Sequence, residues 1–597
     1  MAVALLDLST IARRPIPRLI AIVTILALFV FFFVPNSLES KRFANTPYVR
    51  PPFFPDHPPH ERPQRHGHLR PPHPHAKHPH GVDTWATRAD AVKDAFLHAY
   101  GAYREHASGH DEVLPLTNGS VDSFNGWGLT VVESLDTMWL MGLRSHFDEA
   151  IGVVANMTFH LEPHAYAPFF ETIIRYLGGL LSAYALSGDS ILLARADDLG
   201  SMMLPALETR SGLPIYAVNT VSGKTKYGWT SGKTLWAEAL SCQLEYKYLA
   251  YLTGRKPYYR KVEDIMQIMY AANLTKTQDL FPTVWDTVRG TPTTDVVSVG
   301  AFADSAYEYM LKQWLLTGRS DTQARNLYVR SANAIISHLL FLTPNRRLLY
   351  VTDLSTNKPT HTFEHLSCFL PGVLALGAKT LPADALSPHE RARHLAAAQG
   401  LAQTCWALYA DAQTGLAPDE VVMHRPAQNS STSVAGVNMP WEDAMDEWDA
   451  AGRGGAAPGT ADPVSARRLD DREYDMRKRS WLLRPEAVES FYVLWRVTGD
   501  VRWRERGWAV FEAMEKTARV AGGYASVMDV DDVERAGKNE MPSYFLAETL
   551  KYLYLLFTDE ELIPLDRWVF NTEAHPLPVF EWTDWEREMY GINSMSI

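Results

Sequence analysis

The sequence predicts an all-α protein: a toroid of helix hairpins, an inner ring wrapped by an outer ring, preceded by a single N-terminal transmembrane helix. Three observations carry this. An apolar helix, a Gly-containing turn and a charged helix recur along the chain; alternating β-like runs are few; and one uninterrupted apolar run stands near the N-terminus. With 597 residues, 46% of them apolar and 21% charged, the chain has ample material for a large core. Its net charge of −12 argues against nucleic-acid binding, which normally requires a basic face.

In chain order, Arg13, Arg14 and Arg18 precede "LIAIVTILALFVFFFV", Leu19 to Val34. The run is short for a span, but flanking residues extend it and thin endomembranes suit short spans. A cleaved signal peptide is the competing reading. The run is long for that, and "VPNSLES" after it offers no small-x-small cleavage site. The arginines keep their end cytoplasmic. This gives a cytoplasmic tail over 1–18, a signal anchor over 19–35 and a luminal remainder, a single-pass type II arrangement in the Golgi or endoplasmic reticulum membrane. Residues 36–82, with "RPPHPHAKHPHG", lack the apolar content to fold and form an extended Pro/His-rich stem. Sequons at Asn118, Asn156, Asn273 and Asn429 fit secretory passage. The three cysteines permit one disulfide and one spare thiol there.

From 83 to 597 the hairpin theme takes over. Its turns are "LMGLRSHFDEA" from Leu140, "LSGDSILLARA" from Leu186, "LTGRKPYYRKV" from Leu252, "LTGRSDTQARN" from Leu316 and "VTGDVRWRERG" from Val497. A Gly closing one helix before a fresh amphipathic run marks a helix hairpin. The spacing is too irregular for a stacked solenoid, the alternative all-α reading. One low-complexity piece, residues 450–468, reads as a disordered insertion.

The apolar helices share an oddity: each carries acid. Glu133 and Asp136 lie in one, Glu171 in the next, then Glu238 with Glu245, Asp304 with Glu308, Glu486 with Glu489, and Glu548. For a single acid, a buried ion pair or a cap is the plainer explanation: Glu133 could cap backbone, and Glu245 could pair with Lys247 or Lys233. For six helices that explanation fails, because few basic residues share these stretches. In a ring the acids converge on a water-filled lumen suited to a polyhydroxylated ligand, a cation or both. Paired carboxylates are also what glycosidic cleavage needs, one protonated and one ionised.

"GLTVVESLDTMWLMGL", "FFETIIRYLGGLLSAY", "ADSAYEYMLKQWLLTG", "FEHLSCFLPGVLALG", "LRPEAVESFYVLWRVTGD", "FLAETLKYLYLLF" and "NTEAHP" occur in that order between about Asp83 and Pro576. Together they resemble the class I α-1,2-mannosidases, glycoside hydrolase family 47. The resemblance implies an (α/α)7 barrel and a Ca²⁺-dependent inverting hydrolase that trims terminal α-1,2-linked mannose from high-mannose N-glycans, as a monomer. It implies Glu171 as general acid, Glu486 as base for the attacking water, and Asp304 as the competing base. Thr572 matches the direct Ca²⁺ ligand, an oxygen donor as that ion prefers. Arg175, Asp136, Glu238, Glu308, His365, Arg484, Glu489, Tyr544, Glu548 and Glu573 fall where such enzymes line the sugar and calcium site. Cys368 and Cys405 match the family's disulfide, which leaves Cys242 as a buried apolar residue.

The chain also departs from the pattern. "TGLAPDEVVM" carries Asp419 where Glu is usual, so Asp419 or the adjacent Glu420 fills a possible catalytic position. Phe302 replaces an Arg found in endoplasmic reticulum enzymes and resembles the Golgi type, which implies broader trimming. Two rival functions remain at this stage. One is a lectin-like relative that binds high-mannose glycoproteins with little turnover; the other is a different glycosidase on an α/α barrel, against which "NTEAHP" argues.

Overall fold

The computed structural model describes residues 84–423, 438–534 and 537–592. All described residues belong to one compact unit. The apolar run 19–34, the stem 36–82 and the Asn429 sequon lie outside them. Among the described residues no helix is long and apolar enough to cross a membrane.

Fourteen helices make seven pairs. Helix α1 spans Trp85–His106. Then come α2 (Leu129–Leu140) with α3 (Arg144–Ala155), and α4, which runs through Phe169–Glu171, Thr172–Leu177 and Gly178–Ser187, with α5 (Ser190–Met203). Next are α6 (Gln243–Thr253) with α7 (Lys256–Tyr270), α8 (Asp304–Leu316) with α9 (Thr322–Leu339), and α10 (Leu370–Thr380) with α11 (Pro388–Asp411). Last are α12 (Glu486–Thr498) with α13 (Arg502–Thr517), and α14, made of Phe545–Thr549 and Leu550–Phe557, which pairs back with α1. The even-numbered helices touch in a closed circle, α2 to α4 and on through α14 to α2 again. The inner–outer barrel expected from the sequence is therefore present, with seven hairpins.

Burial follows from composition. Every residue of α2 is buried, and so is every residue of α8 after Asp304, as helices apolar on most sides require. Outer helix α7 buries only Tyr258, Tyr259, Val262, Ile265, Met266 and Met269, one stripe at helical spacing. The five predicted turns close on Gly142, Gly188, Gly254, Gly318 and Gly499, all in the left-handed region with φ from 60° to 77°. That conformation costs little without a Cβ.

Short antiparallel strands occupy the barrel ends. One three-stranded sheet orders β1 (Thr362–Glu364), β2 (Glu420–Met423) and β3 (Tyr474–Lys478), with Glu364 opposite Glu420. A hairpin of β4 (Trp568–Phe570) and β5 (Pro576–Pro578) packs on α8 and α4, and its tip is 571–575. Gly178 and Gly179 permit this approach. A Cβ on Gly178 would lie 2.5 Å from Asn571 Nδ2, and one on Gly179 would lie 3.4 Å from the His575 ring and 3.0 Å from the Val132 carbonyl oxygen of α2.

The disulfide joins Cys368 to Cys405 with a Cα separation of 6.1 Å, and Cys242 is a buried free thiol. The 450–468 stretch departs from expectation. Instead of being disordered it follows a defined course, its carbonyls taken up by the barrel: Arg346 Nη2 donates to Val464 O (2.8 Å) and Gln403 Nε2 to Thr460 O (3.1 Å). Trp441 Nε1 donates to Pro458 O (2.9 Å), and Arg506 Nη2 to Asp462 Oδ1 (2.6 Å). The composition conceals these anchors because most are remote in sequence: Arg346 in a turn, Gln403 on α11 and Arg506 on α13.

Candidate active site

The inner helices enclose a cavity of about 180 Å³. Helix α4 contributes Phe170, Ile174 and Arg175; α8 contributes Asp304, Ser305 and Glu308; α12 and the turn before it contribute Arg484, Glu486 and Glu489. Tyr544 and Glu548 enter from α14, and Thr572 and Glu573 from the β4–β5 tip. Ten predicted site residues therefore meet at one place. Two of the contributing helices contain a wide π-type turn there, Thr172–Leu177 and Phe545–Thr549. Such turns rotate a side chain off the regular helical register and recur at functional sites.

Arg175 links the acids on one wall. Its Nε donates to Glu171 Oε2 (2.7 Å), while Nη1 donates to Glu573 Oε2 (2.8 Å) and Glu133 Oε1 (3.4 Å). Glu171 is 27% exposed and stands beside the lining residues rather than among them. Glu238 caps its own short helix through the Leu235 N–H (3.3 Å). Burial pushes its carboxyl up to about 7, with the charge of Glu171 adding to the shift.

The opposite wall is built differently. His365 follows β1, and its Nδ1 bonds Glu486 Oε2 at 2.9 Å; Arg484 Nη1 lies 3.6 Å from Glu486 Oε1. Burial alone would raise Glu486, but the His365 hydrogen bond and the Arg484 charge outweigh it and hold this carboxyl below its ordinary value. Asp304, the first residue of α8, goes the other way. Burial pushes it up to about 7, with Glu364, Glu308 and Glu486 nearby reinforcing the shift. Asp419 accepts from Arg484 Nε (2.6 Å), whereas Glu420 is taken up by Arg477 (2.9 Å) and Lys478 (2.7 Å). Asp419, not Glu420, therefore faces the site's arginine.

At the cavity floor acids crowd together. Glu548 is raised by burial and by Glu573; Glu573 is raised by burial against the pull of Arg175. Glu489 is pushed up to about 8 by burial, opposed by Lys312, which is ion-paired to Glu308. Beside them lies Thr572, so the donors here are all oxygens, the set a hard cation takes. A cation would favour the ionised form of these buried carboxyls. Among the described residues, no group of three or more His, Cys, Asp or Glu side chains is arranged to hold a metal ion.

Three expectations need correction. Asp136 does not reach the cavity: it is fully buried behind the β4–β5 tip, 2.8 Å from Lys551 Nζ and 2.7 Å from His575 Nδ1, and it accepts from Ser182. Glu245 pairs with neither Lys247 nor Lys233; it accepts from Tyr309 O–H (2.7 Å) and Asn571 Nδ2 (2.8 Å). Lys247 instead meets Asp321 at 2.8 Å. Glu133 is no cap but a fully buried member of the Arg175 cluster, pushed up to about 8 by burial. Sequence reasoning also missed Glu364, whose Oε2 takes the Ala301 N–H (3.0 Å). Its only signal was adjacency to His365.

An apolar shelf borders the mouth. Trp229, 71% exposed, lies 6.1 Å from the ring of Phe302, itself 44% exposed and next to the lining residue Ala301.

The pattern described as glycosyl hydrolase family 47 matches residues 95–579. The chain is 39% identical over 502 residues to the endoplasmic reticulum mannosyl-oligosaccharide 1,2-alpha-mannosidase of Homo sapiens. That match covers 83% of this chain and 64% of the human protein, so the chain spans slightly under two thirds of that relative. The Rattus norvegicus protein of the same name is 39% identical over 501 residues, covering 83% of this chain and 68% of its own. A solved structure, the alpha-1,2-mannosidase from Trichoderma reesei, superposes with a TM-score of 0.71 at 27% identity, covering 84% of this chain and all of that one.

Proposed function

The chain belongs to glycosyl hydrolase family 47, and on that premise we propose that it is a Ca²⁺-dependent, inverting exo-α-1,2-mannosidase acting on high-mannose N-glycans. The observation that carries the reading is the division of acids within one cavity. Glu486 is held below its ordinary pKa by His365 and Arg484, while Asp304, Glu489 and Glu548 are raised around it. Inverting glycoside hydrolysis needs an ionised carboxylate as its base among acids that hydrogen-bond the sugar; the general acid, Glu171, stands beside this cavity rather than in its lining.

In this reading Glu486 is the base. Ionised, it takes a proton from a water that attacks the anomeric carbon. Glu171 protonates the leaving glycosidic oxygen, directly or through a water, and Arg175 fixes its carboxylate at 2.7 Å. Asp304, pushed up to about 7 by burial, lines the same cavity and hydrogen-bonds substrate or water. Asp419 aligns Arg484. Tyr544, Glu308, Glu489, Glu548 and Glu573 bind sugar hydroxyls and water. Thr572 would be the direct protein ligand for calcium, with Glu548 and Glu573 the acids beside it. The ion supplies an electrostatic hold on the hydroxyls of the terminal mannose. Inversion requires room for a water between the carboxyl groups, in keeping with the cavity's size.

The Leu19–Val34 run, the flanking arginines, the disulfide and the endoplasmic reticulum names of its relatives support a type II membrane-anchored monomer of the secretory pathway. Asn118, Asn156 and Asn273 are exposed, as glycan acceptors must be. Glu171→Gln tests the central assignment. Hydrolysis of a high-mannose N-glycan should fall by about 10³-fold, the scale of a lost general acid, while glycan binding persists. Hydrolysis within tenfold of the unaltered enzyme would remove Glu171 from the acid role.

A further inference from the structure

Behind Glu486 lies a buried chain of hydrogen bonds with a fixed direction. Trp481 Nε1 is 3.3 Å from Tyr409 O–H, Tyr409 O–H is 2.7 Å from His365 Nε2, and His365 Nδ1 is 2.9 Å from Glu486 Oε2. Tyr409 is fully buried, and His365 and Trp481 are each 1% exposed. An indole N–H can only donate, so the Tyr409 oxygen accepts from Trp481; its own buried proton needs an acceptor, and among the described residues that acceptor is His365. Nε2 of His365 therefore accepts. In a neutral imidazole the proton is then on Nδ1, aimed at the Glu486 carboxylate. Burial raises the Tyr409 hydroxyl, so it stays protonated as this direction requires.

Two constraints hold the chain in place. Trp481 exchanges backbone hydrogen bonds with Val527 (2.9 and 2.8 Å), which fixes the indole. The disulfide joins Cys368, three residues after His365, to Cys405, one helical turn before Tyr409 on α11. It therefore clamps together the two segments that carry the histidine and the tyrosine.

We infer that Tyr409, supported by Trp481 and the Cys368–Cys405 disulfide, is a positioning residue that sets the tautomer of His365 and so keeps Glu486 ionised and aimed. The inference rests on the reading of Glu486 as base. Other groups facing Glu486 are Arg484 before α12, Asp304 on α8, Glu489 on α12, and Tyr544 and Glu548 on α14. None is changed by altering Tyr409, so their influence is common to both enzymes compared.

The experiment is the pH dependence of kcat/KM for mannose release by the full chain and by Tyr409→Phe. Without the tyrosine hydroxyl, Nε2 of His365 loses its partner, the Nδ1–H form is held less firmly, and its donation to Glu486 weakens. Its carboxyl should titrate higher, moving the acidic limb up by about one pH unit, with kcat falling more than KM changes. Circular dichroism of each variant at each pH separates a shift of the limb from acid unfolding. Trp481→Phe should shift the same limb by less, and Cys405→Ser should shift it in the same direction. An unmoved limb in Tyr409→Phe, with activity merely lower at every pH, would overturn the inference and leave Tyr409 a packing residue. Absence of mannose release by the unaltered chain would instead remove the reading beneath it.

Discussion

At the scale of single residues, the cavity separates groups that bind from groups that react, and Trp229 lies outside both. An indole 71% exposed beside a cavity mouth gains nothing from the core, but it offers a flat apolar face to a sugar ring. Trp229→Ala should raise KM for a high-mannose N-glycan by about five- to tenfold, the effect of losing roughly 1 kcal/mol of stacking. kcat/KM for the α-1,2-linked mannose disaccharide, which lacks the rest of the glycan, should stay within about twofold. Equal losses on both substrates would contradict this role. Residue identity was the part of the site most legible in the sequence. Glu171, Asp304 and Glu486 stand out because an acid in an apolar run must have a use or a partner. Asp136 shows where such reasoning stops. It obeys the same pattern, three residues from Glu133, yet its partners Lys551 and His575 come from the other end of the chain and turn it into a buried ion pair. No local spacing records that.

At the scale of elements, the hairpins were legible wherever a glycine closed the inner helix. Gly142, Gly188, Gly254, Gly318 and Gly499 all adopt the left-handed conformation that ends a helix. Two of the seven pairs escaped notice for physical reasons. Helix α10 ends at Thr380 and leads through "LPADALS" into α11, whose start is capped by Ser387, so no glycine marks the turn. The pairing of α14 with α1 joins the two ends of the barrel sequence, and only closure of the ring brings them together. The π-type turns that carry Arg175 and precede Leu550 were equally hidden, since they arise from packing around the site and not from propensity. The 450–468 stretch erred the other way: its Gly/Ala/Pro composition reads as disorder, but distant Arg, Gln and Trp side chains hold its carbonyls.

At the scale of the whole molecule, the converging acids make stability depend on pH and on the bound cation. Burial raises the folded-state pKa of Asp304, Glu238 and Glu245 to about 7, and of Glu133 and Glu489 to about 8. Between pH 5 and 8 the folded state therefore holds protons that the unfolded chain has lost, and stability falls as pH rises through this window. Asp136 and Glu486, both lowered in the fold, act in the opposite sense only below pH 5; His394, held down to about 4, and His575 and His146, also lowered, oppose the trend up to about pH 7 but are outnumbered by the raised acids. Without calcium, Tm measured by calorimetry should drop progressively from pH 5 to pH 8. Added Ca²⁺ should raise Tm, and by more at pH 8, where the carboxylates it neutralises are ionised. A calcium-free Tm that is flat or rising across that range would contradict the burial argument.

Hydrolysis under control of the cation tests the account most directly. The fragment from about Asp83 onward is incubated with a high-mannose N-glycan, and free mannose is followed in calcium, in excess EDTA, and after calcium is restored. The account predicts mannose release that stops with EDTA and returns with Ca²⁺. Glycan that stays bound in calcium without releasing mannose would contradict it, leaving a mannose-binding protein with Asp419 the first residue to question.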